Sequence, residues 1–326
     1  MRALQQTTWN GPRDLHLITD SPEPVAGPGE VVIRVTAAGV NFVDIQQATG
    51  VFAGGPRPPY IAGIEAAGEV VSAGAGVTGV DLGAHVAGVD IAGGAFAEFM
   101  AVPAAAVLPV PAGWADEQAL GLLVSVPTAL AALKPLGRVE AGQTVLIQAA
   151  AGGTGQAALA MAKHYGATVI AAASPGKHDL LRGLGADHVV DSRPAGLTGD
   201  VMRLTGGTGV DLVLESAGGP AMAAALAATR RVTGRVVVYG LAGGEATITN
   251  WDLVYRHQLH LIGLNIGTLI RSAPGVFGDV LAEMFALIAA GVLGPGRPTV
   301  HALADGPKVL TELQARSTVG RLALMP

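Results

Sequence analysis

The chain contains no cysteine, which excludes disulfide bridges, thiolate catalysis and cysteine-ligated metals, although it leaves the redox compartment undetermined. Charge is sparse. Only 14% of residues are Asp, Glu, Lys or Arg, and the formal net charge is -5, so nothing draws the chain to nucleic acid or to an anionic membrane surface. Aromatic residues make up 4%, too few to supply stacking platforms for unpaired bases. Nucleic-acid partners are therefore not expected. No uninterrupted apolar run reaches the length of a membrane span, so no membrane role is expected either. The opening "MRALQQTTWNGPRDL" has one early arginine and no apolar core, unlike a secretory signal, and a cytoplasmic location is the default.

Half of the 326 residues are apolar and 47 are glycine. A chain of this length exceeds what one hydrophobic core usually organises, so two domains are expected. Up to about Leu122 the sequence reads as short β-rich runs such as "EVVIRVTAAGV" and "GEVVSAG", broken by Gly and Pro at turn spacing. After Leu123, strand-sized apolar runs alternate with helical stretches: "TVLIQ", "QAALAMAKHYG", "ATVIAAA", "PGKHDLLRGLG", "HVV", "DLVLES", "PAMAAALAAT", "RVVVYG". That alternation predicts βαβ units and a parallel sheet. It ends near Leu264, where a tail of helix, strand, helix and strand begins and is expected to return to the first domain.

Between the strand Thr144 to Gln148 and a helix that Gly166 would stop lies "QAAAGGTGQ", containing AxGxxG from Ala150 to Gly155. In that setting Gly152, Gly153, Thr154 and Gly155 bring backbone N–H groups and a helix dipole to a pyrophosphate. The alternative is a tight βα turn whose glycines serve only its dihedral angles. An NAD site places a carboxylate at the end of the next strand, to bind the adenosine ribose diol. Here Ala172, Ala173 and Ser174 stand at that point, and no acidic residue appears before Asp179. Ser174 and Lys177 suit a 2′-phosphate and favour NADPH. Equally, Ser174 is a helix N-cap ahead of Pro175, and Lys177 an ordinary solvated lysine.

The stretches "AAGVNFVDIQQATGVF", "PPYIAGIEAAGEV" and "GGAFAEFMAVPAAAVLPVPAGWADEQA" precede that unit; the junction "SVPTALAAL" leads into it, and "GVDLVLESAGG", "RVVVYGLAGG" and "STVGRLALMP" follow. Taken in order, they resemble the medium-chain dehydrogenase/reductase superfamily and, within it, the zinc-independent quinone oxidoreductases of the zeta-crystallin-like branch. The resemblance implies an α/β chain with a GroES-like β-barrel catalytic domain, split over residues 1–122 and 265–326, and an inserted doubly wound Rossmann domain over 123–264. It also implies a cofactor held in the cleft between the two, and a homodimer formed by sheet pairing, with "HLIGLNIG" as the edge.

The zinc-dependent relatives carry a histidine in "GHE" where this chain has Ile64 in "GIEAAG", and many carry a cysteine lobe for which "HVAGVDIAGGAFAEF" is too short. No metal is expected, Glu65 is read as structural, and the eight histidines show no ligand spacing. Without a Lewis acid, alkoxide chemistry loses its usual support, whereas a quinone or an α,β-unsaturated carbonyl accepts hydride and spreads the charge onto oxygen.

By the same resemblance, Asn41 and Asp44 of "NFVD" and Thr128 of "PTA" flank the nicotinamide end. Gly240, Leu241 and Asn265 line the cofactor path, and Arg316 helps hold the 2′-phosphate. Asn41 is alternatively a turn residue, Asp44 a helix N-terminal charge and Arg316 an exposed helix-end arginine. Gln46 and Phe52 stand where some bacterial relatives place tyrosines and are assigned to the substrate pocket, while Ser192 replaces another tyrosine near the adenosine phosphate. Tyr60 is not read as a proton donor, and the protonating group stays unassigned, with solvent as one source. The resulting expectation is an NADPH-dependent reductase of a quinone or activated enone. The alternatives are a dedicated enoyl or enone reductase of secondary metabolism and a non-catalytic NADPH-binding sensor or structural protein.

Overall fold

The computed structural model describes every residue from Met1 to Pro326. Two compact units emerge: Met1–Val124 with Pro295–Pro326, and Ser125–Gly294.

The first unit is built around the long strand Glu30–Val40, which pairs antiparallel with Glu65–Ala73, with Phe99–Pro103 and with the C-terminal strand Leu322–Met325. The sheet continues through His85–Val89 to Val107–Pro109 on one side, and Thr299–Ala302 forms its other edge. A second sheet of three short strands joins Leu15–Ile18, Ala3–Gln6 and Tyr60–Ile61. Leu4, Ile33, Phe96, Met100 and Leu324 fill the core between them. The last strand sits beside Ala38 to Val40, so the C-terminal segment belongs to the same hydrophobic core as the N-terminal one.

The second unit is a six-stranded parallel sheet. In space its strands run His188–Asp191, Thr168–Ala173, Thr144–Ile147, Leu212–Glu215, Arg235–Val238 and His260–Gly263. Its inner strands are continuous apolar runs, because helices cover both faces: Val145 to Ile147, Val169 to Ala173 and Leu212 to Leu214 are all buried. In chain order the spatial sequence is third, second, first, fourth, fifth, sixth, so the winding direction reverses between Thr144–Ile147 and Leu212–Glu215. Folds of this kind bind ligands outside the carboxyl ends of the strands at that reversal.

Two features differ from the sequence reading. Residues 265–294, expected in the first domain, lie in the second compact unit. The reason is packing: helix Pro274–Ala289 lies against helix Ser125–Leu133, and Tyr165 Oη donates to Glu283 Oε1 at 2.8 Å. The composition change at Leu264 thus marks the end of the last parallel strand. In addition, a helix at Pro194–Leu204, not among the helical stretches read from the sequence, lies between "HVV" and "DLVLES", where Gly196, Thr198 and Gly199 interrupt the helical pattern. Leu197 and Val201 hold it to the sheet. No single helix is long and apolar enough to cross a membrane.

Candidate functional site

The strand Thr144–Ile147 leads through residues 148–152 into helix Gly153–His164. Ala149 takes a positive φ of 48°, and Gly152 N closes the turn on Ala149 O at 3.0 Å. Two glycines here are required for different reasons. A Cβ on Gly155 would stand 2.5 Å from Ala149 O and 2.6 Å from Ala150 Cα, so the fold itself demands glycine at that point. A Cβ on Gly152 would meet nothing closer than Ala149 O at 3.4 Å, and its φ of -81° is open to any residue. Nothing in the fold requires glycine at 152. No side chain caps this helix, its first turn has no acidic residue, and the first intrahelical bond is Gln156 N to Gly152 O at 2.9 Å. The N–H groups of Gly153, Thr154 and Gly155 precede the first intrahelical bond and lie at the positive end of the helix dipole. Uncapped N–H groups at a helix N-terminus suit an anion, and the steric demand for glycine falls on Gly155 rather than Gly152.

The adenosine side is built where the neighbouring strands end. Ser174 precedes the short helical turn Pro175–Lys177 and makes no side-chain capping bond, although its backbone is the N-cap. Partial burial pulls the Lys177 ammonium below its ordinary value. Ala173 is in register with Asp191 of the next strand, and Ser192 N donates to Ala173 O at 3.0 Å. Beyond it, Arg193 Nε donates to Asp191 Oδ2 at 2.7 Å. This Asp191–Arg193 pair is absent from the sequence reading, since only strand pairing brings it beside Ser174.

At the reversal point the strand Leu212–Glu215 ends beside the strand Thr144–Ile147, which puts Gln148 and Glu215 side by side. Both are buried, and neither polar atom of the Gln148 amide nor Glu215 Oε2 has a hydrogen-bond partner in the protein. Glu215 Oε1 accepts from Gly218 N at 2.8 Å and Ala217 N at 2.9 Å. Burial pushes the Glu215 carboxyl up, partly offset by those two N–H donors. In the sequence, a glutamine closing "TVLIQ" and a glutamate inside "DLVLES" were the visible signs of a polar patch at the strand ends. Gly240 and Leu241 sit in a loop clamped to the same edge: a Cβ on Gly240 would lie 2.6 Å from Ser216 O, and Gly219 N donates to Gly244 O at 2.8 Å. Asn265 is the N-cap of helix Ile266–Ser272, its Oδ1 accepting from Thr268 N at 2.9 Å. Thr128 lies half-buried on helix Ser125–Leu133.

In the first unit, Asn41 is the N-cap of helix Phe42–Ala48, and its backbone N–H donates to Asp44 Oδ2 at 2.7 Å. Its side-chain amide donates to Glu65 Oε2 at 3.0 Å. Asp44 is 3% exposed, Oδ1 has no partner, and burial, reinforced by the charge of Glu65, pushes its carboxyl up to about 8. The folded state therefore holds a proton on Asp44 that the unfolded chain releases near 3.8. This contribution to stability is complete below 3.8 and is lost as pH rises towards about 8. Asp44→Asn should flatten the pH dependence of the urea midpoint across that window.

Glu65 is 1% exposed and ties four segments together. It lies over Gly39, where a Cβ would come 2.5 Å from Oε2; it accepts from Asn41, and from Gly121 N at 2.6 Å; and it faces the half-buried Arg321, which donates to Leu120 O. Gln46 is half-buried on the same helix as Asp44, and its carbonyl accepts from Val51 N at 3.0 Å and Phe52 N at 3.1 Å, which fixes the loop bearing Phe52. Burial, with the charge of Asp44, raises the Tyr60 hydroxyl far above its ordinary value. Arg316 lies in the first unit with a φ of 58°, where it closes helix Gly306–Gln314 through its N–H to Leu313 O at 2.9 Å. No three His, Asp or Glu side chains gather where they could hold a metal ion.

Two family models match in order: the alcohol dehydrogenase GroES-like domain over residues 27–112 and the zinc-binding dehydrogenase domain over 153–286. Among solved structures, the chain is similar to a mycobacterial quinone oxidoreductase, at 32% identity over 100% of both chains and a TM-score of 0.82. It is also similar to the Escherichia coli quinone oxidoreductase complexed with NADPH, at 26% identity over 100% of both chains with a TM-score of 0.92. A third likeness is to the CurK enoyl reductase, 26% identical, covering 99% of this chain and 98% of the other, with a TM-score of 0.88. A curated relative, a mycocerosic acid synthase-like polyketide synthase of Mycobacterium tuberculosis, is 34% identical over 300 residues, which is 91% of this chain but only 14% of that protein's length. The chain belongs to the medium-chain dehydrogenase/reductase superfamily, in its quinone oxidoreductase branch.

Proposed function

We propose that this chain is an NADPH-dependent reductase that delivers hydride to a quinone or an activated α,β-unsaturated carbonyl and uses no metal. The observation that carries it is the helix Gly153–His164, which no side chain caps and which starts at Gly152, a position where the fold itself has no steric need of glycine. Bound NADPH supplies the hydride from nicotinamide C4. The chain's own part is to hold and align: Ala150 and Gly152 to Gly155 at the pyrophosphate, Ser174 and Lys177 at the 2′-phosphate, and Gly240, Leu241 and Asn265 along the nicotinamide half, with Arg316 as a further phosphate ligand. Asn41 and Thr128 position the reacting groups, and Asp44 acts through Asn41 by fixing the start of its helix at 2.7 Å. Gln46 and Phe52 line the substrate side. Ile64 stands where a zinc ligand would be needed, and Glu65 is already committed to Asn41 and Gly121. Metal-free reduction suits an acceptor that carries its own electron sink.

A dedicated enoyl reductase is the second reading, favoured by the likeness to CurK and to polyketide synthases. Loss of reduced-nicotinamide absorbance tests both, with NADPH and NADH run against benzoquinone, naphthoquinone, phenanthrenequinone and simple enones. NADPH-selective quinone turnover supports the first reading. Enone-only turnover with stoichiometric saturated product supports the second. Binding of NADPH with no turnover leaves a sensor.

We further propose a cytoplasmic homodimer paired through the edge strand His260–Gly263. His260 N and Leu264 N point inward, to Gly234 O and Val238 O, so the N–H groups of Leu261 and Gly263 face outward and are available to a second sheet. Leu261→Pro removes one outward donor and leaves the inward ladder intact. It should yield a folded monomer by light scattering; a wild-type chain that is already monomeric overturns the proposal.

A further inference from the structure

We infer that Arg193 is the residue by which this chain tells a dinucleotide carrying a 2′-phosphate from one without it, and that Asp191 restrains it. The inference rests on the dinucleotide reading above. The strands Thr168–Ala173 and His188–Asp191 end level, with Ala173 opposite Asp191. Ser192 N donates to Ala173 O at 3.0 Å, and His178 Nε2 lies 3.1 Å from the same carbonyl. The chain leaving one strand is thereby fastened to the chain leaving the other. Ser174 and Ser192 thus leave the carboxyl edge of the sheet together, with Arg193 one residue further on, where the adenosine end of a dinucleotide falls in a doubly wound fold.

Arg193 is well placed to take a phosphate. Its side chain is 81% exposed, and it is held at the root rather than buried: Nε and Nη2 both face Asp191 Oδ2, at 2.7 Å and 2.5 Å, and its backbone N donates to Asp191 Oδ1 at 3.0 Å. A guanidinium carries five N–H donors in a planar fork, so the Nη1 edge can bind phosphate while the other edge keeps Asp191, or the whole fork can exchange one anion for another. The Arg193 end of the pair is 81% exposed, so its guanidinium can turn to a phosphate while Asp191, 20% exposed, stays in place. The same pair acts against NADH. Asp191 is the carboxylate nearest to the position where a ribose diol would be bound, and Arg193 occupies both of its oxygens. The other acidic group in the neighbourhood, Asp179, is paired with Arg182 at 2.6 Å. The local balance thus favours an added phosphate over a bare diol, and part of the discrimination comes from a residue on a strand that does not carry the glycine motif.

Equilibrium titration of the full chain with NADPH, NADH and 2′,5′-ADP, followed by calorimetry, tests this without reference to turnover. Arg193→Ala should weaken NADPH and 2′,5′-ADP about 10- to 100-fold, the range for a lost hydrogen bond to a charged group, with NADH unchanged. Arg193→Lys should restore part of the loss. Asp191→Asn should raise the preference for NADPH over NADH, because it removes the anion competing for the same fork. If the wild type prefers NADPH and Arg193→Ala keeps that preference, the inference falls and the dinucleotide reading stands. If the wild type binds neither nucleotide, or prefers NADH, both fall.

Discussion

Gly152→Asp should abolish NADPH binding while leaving the protein as stable as before. The two effects separate because the fold has no steric need of glycine at position 152, where the proposed pyrophosphate site lies. Its backbone is extended, as an N-cap requires, and an added Cβ meets only Ala149 O at 3.4 Å. Aspartate is a better helix N-cap than glycine by a few tenths of a kcal/mol, and its charge suits the helix dipole. The same carboxylate would face a pyrophosphate. At about 4 Å and an effective dielectric constant near 20, two like charges repel by about 4 kcal/mol, so a loss of affinity of at least about 100-fold is expected. Calorimetric titration and a thermal melt on the same sample decide it. A variant that still binds NADPH removes the anion cradle from the site. Gly155→Ala makes the contrast: its Cβ would run into the backbone of Ala149 and Ala150 at 2.5 to 2.7 Å, so stability and binding should fall together, with an overpacking cost of about 1–3 kcal/mol.

Glu65→Ala should be the most destabilising single change in the first unit, by about 3–5 kcal/mol, the usual cost of breaking a buried charged network from one side. The substitution leaves Asn41 Nδ2 and Gly121 N without their acceptor and deprives Arg321 of the only carboxylate that offsets its burial. A melting temperature lower by about 10 °C is expected if the unit unfolds as a domain of roughly 150 residues. Glu65→Gln keeps the shape but has one acceptor for two donors, so it should fall between. Combining Glu65→Gln with Arg321→Met should cost less than the sum of the single changes, since each removes the other's burden. Additive losses would mean that Arg321 is held by Leu120 O alone. Asn41 is anchored through the same glutamate.

Asn41 and Asp44 show how the site divides between what residues imply and what contacts decide. "NFVD" identified both positions, and the alternatives of turn residue and helix-terminal charge were visible from their types. Their bond to one another is a local helix cap, whereas the bond from Asn41 to Glu65 depends on strand Glu65–Ala73 pairing with strand Glu30–Val40, a segment distant in the chain. Gln148 and Glu215 follow the same pattern, each a lone polar residue closing an apolar run until parallel register sets them side by side.

The sequence by itself determined the two-part organisation, the parallel sheet and the strand–glycine turn–helix unit at 144–164. Those features arise from local periodicity and from glycines whose purpose is set by the residues beside them. Only the tertiary structure decided that residues 265–294 join the second unit, that residues 194–204 are helical, and that Ser192 is bonded to Ala173 at the strand end. Each of these depends on burial against a partner distant in sequence, where packing energy overrides intrinsic propensity. Such long-range partners leave no periodic trace in the chain.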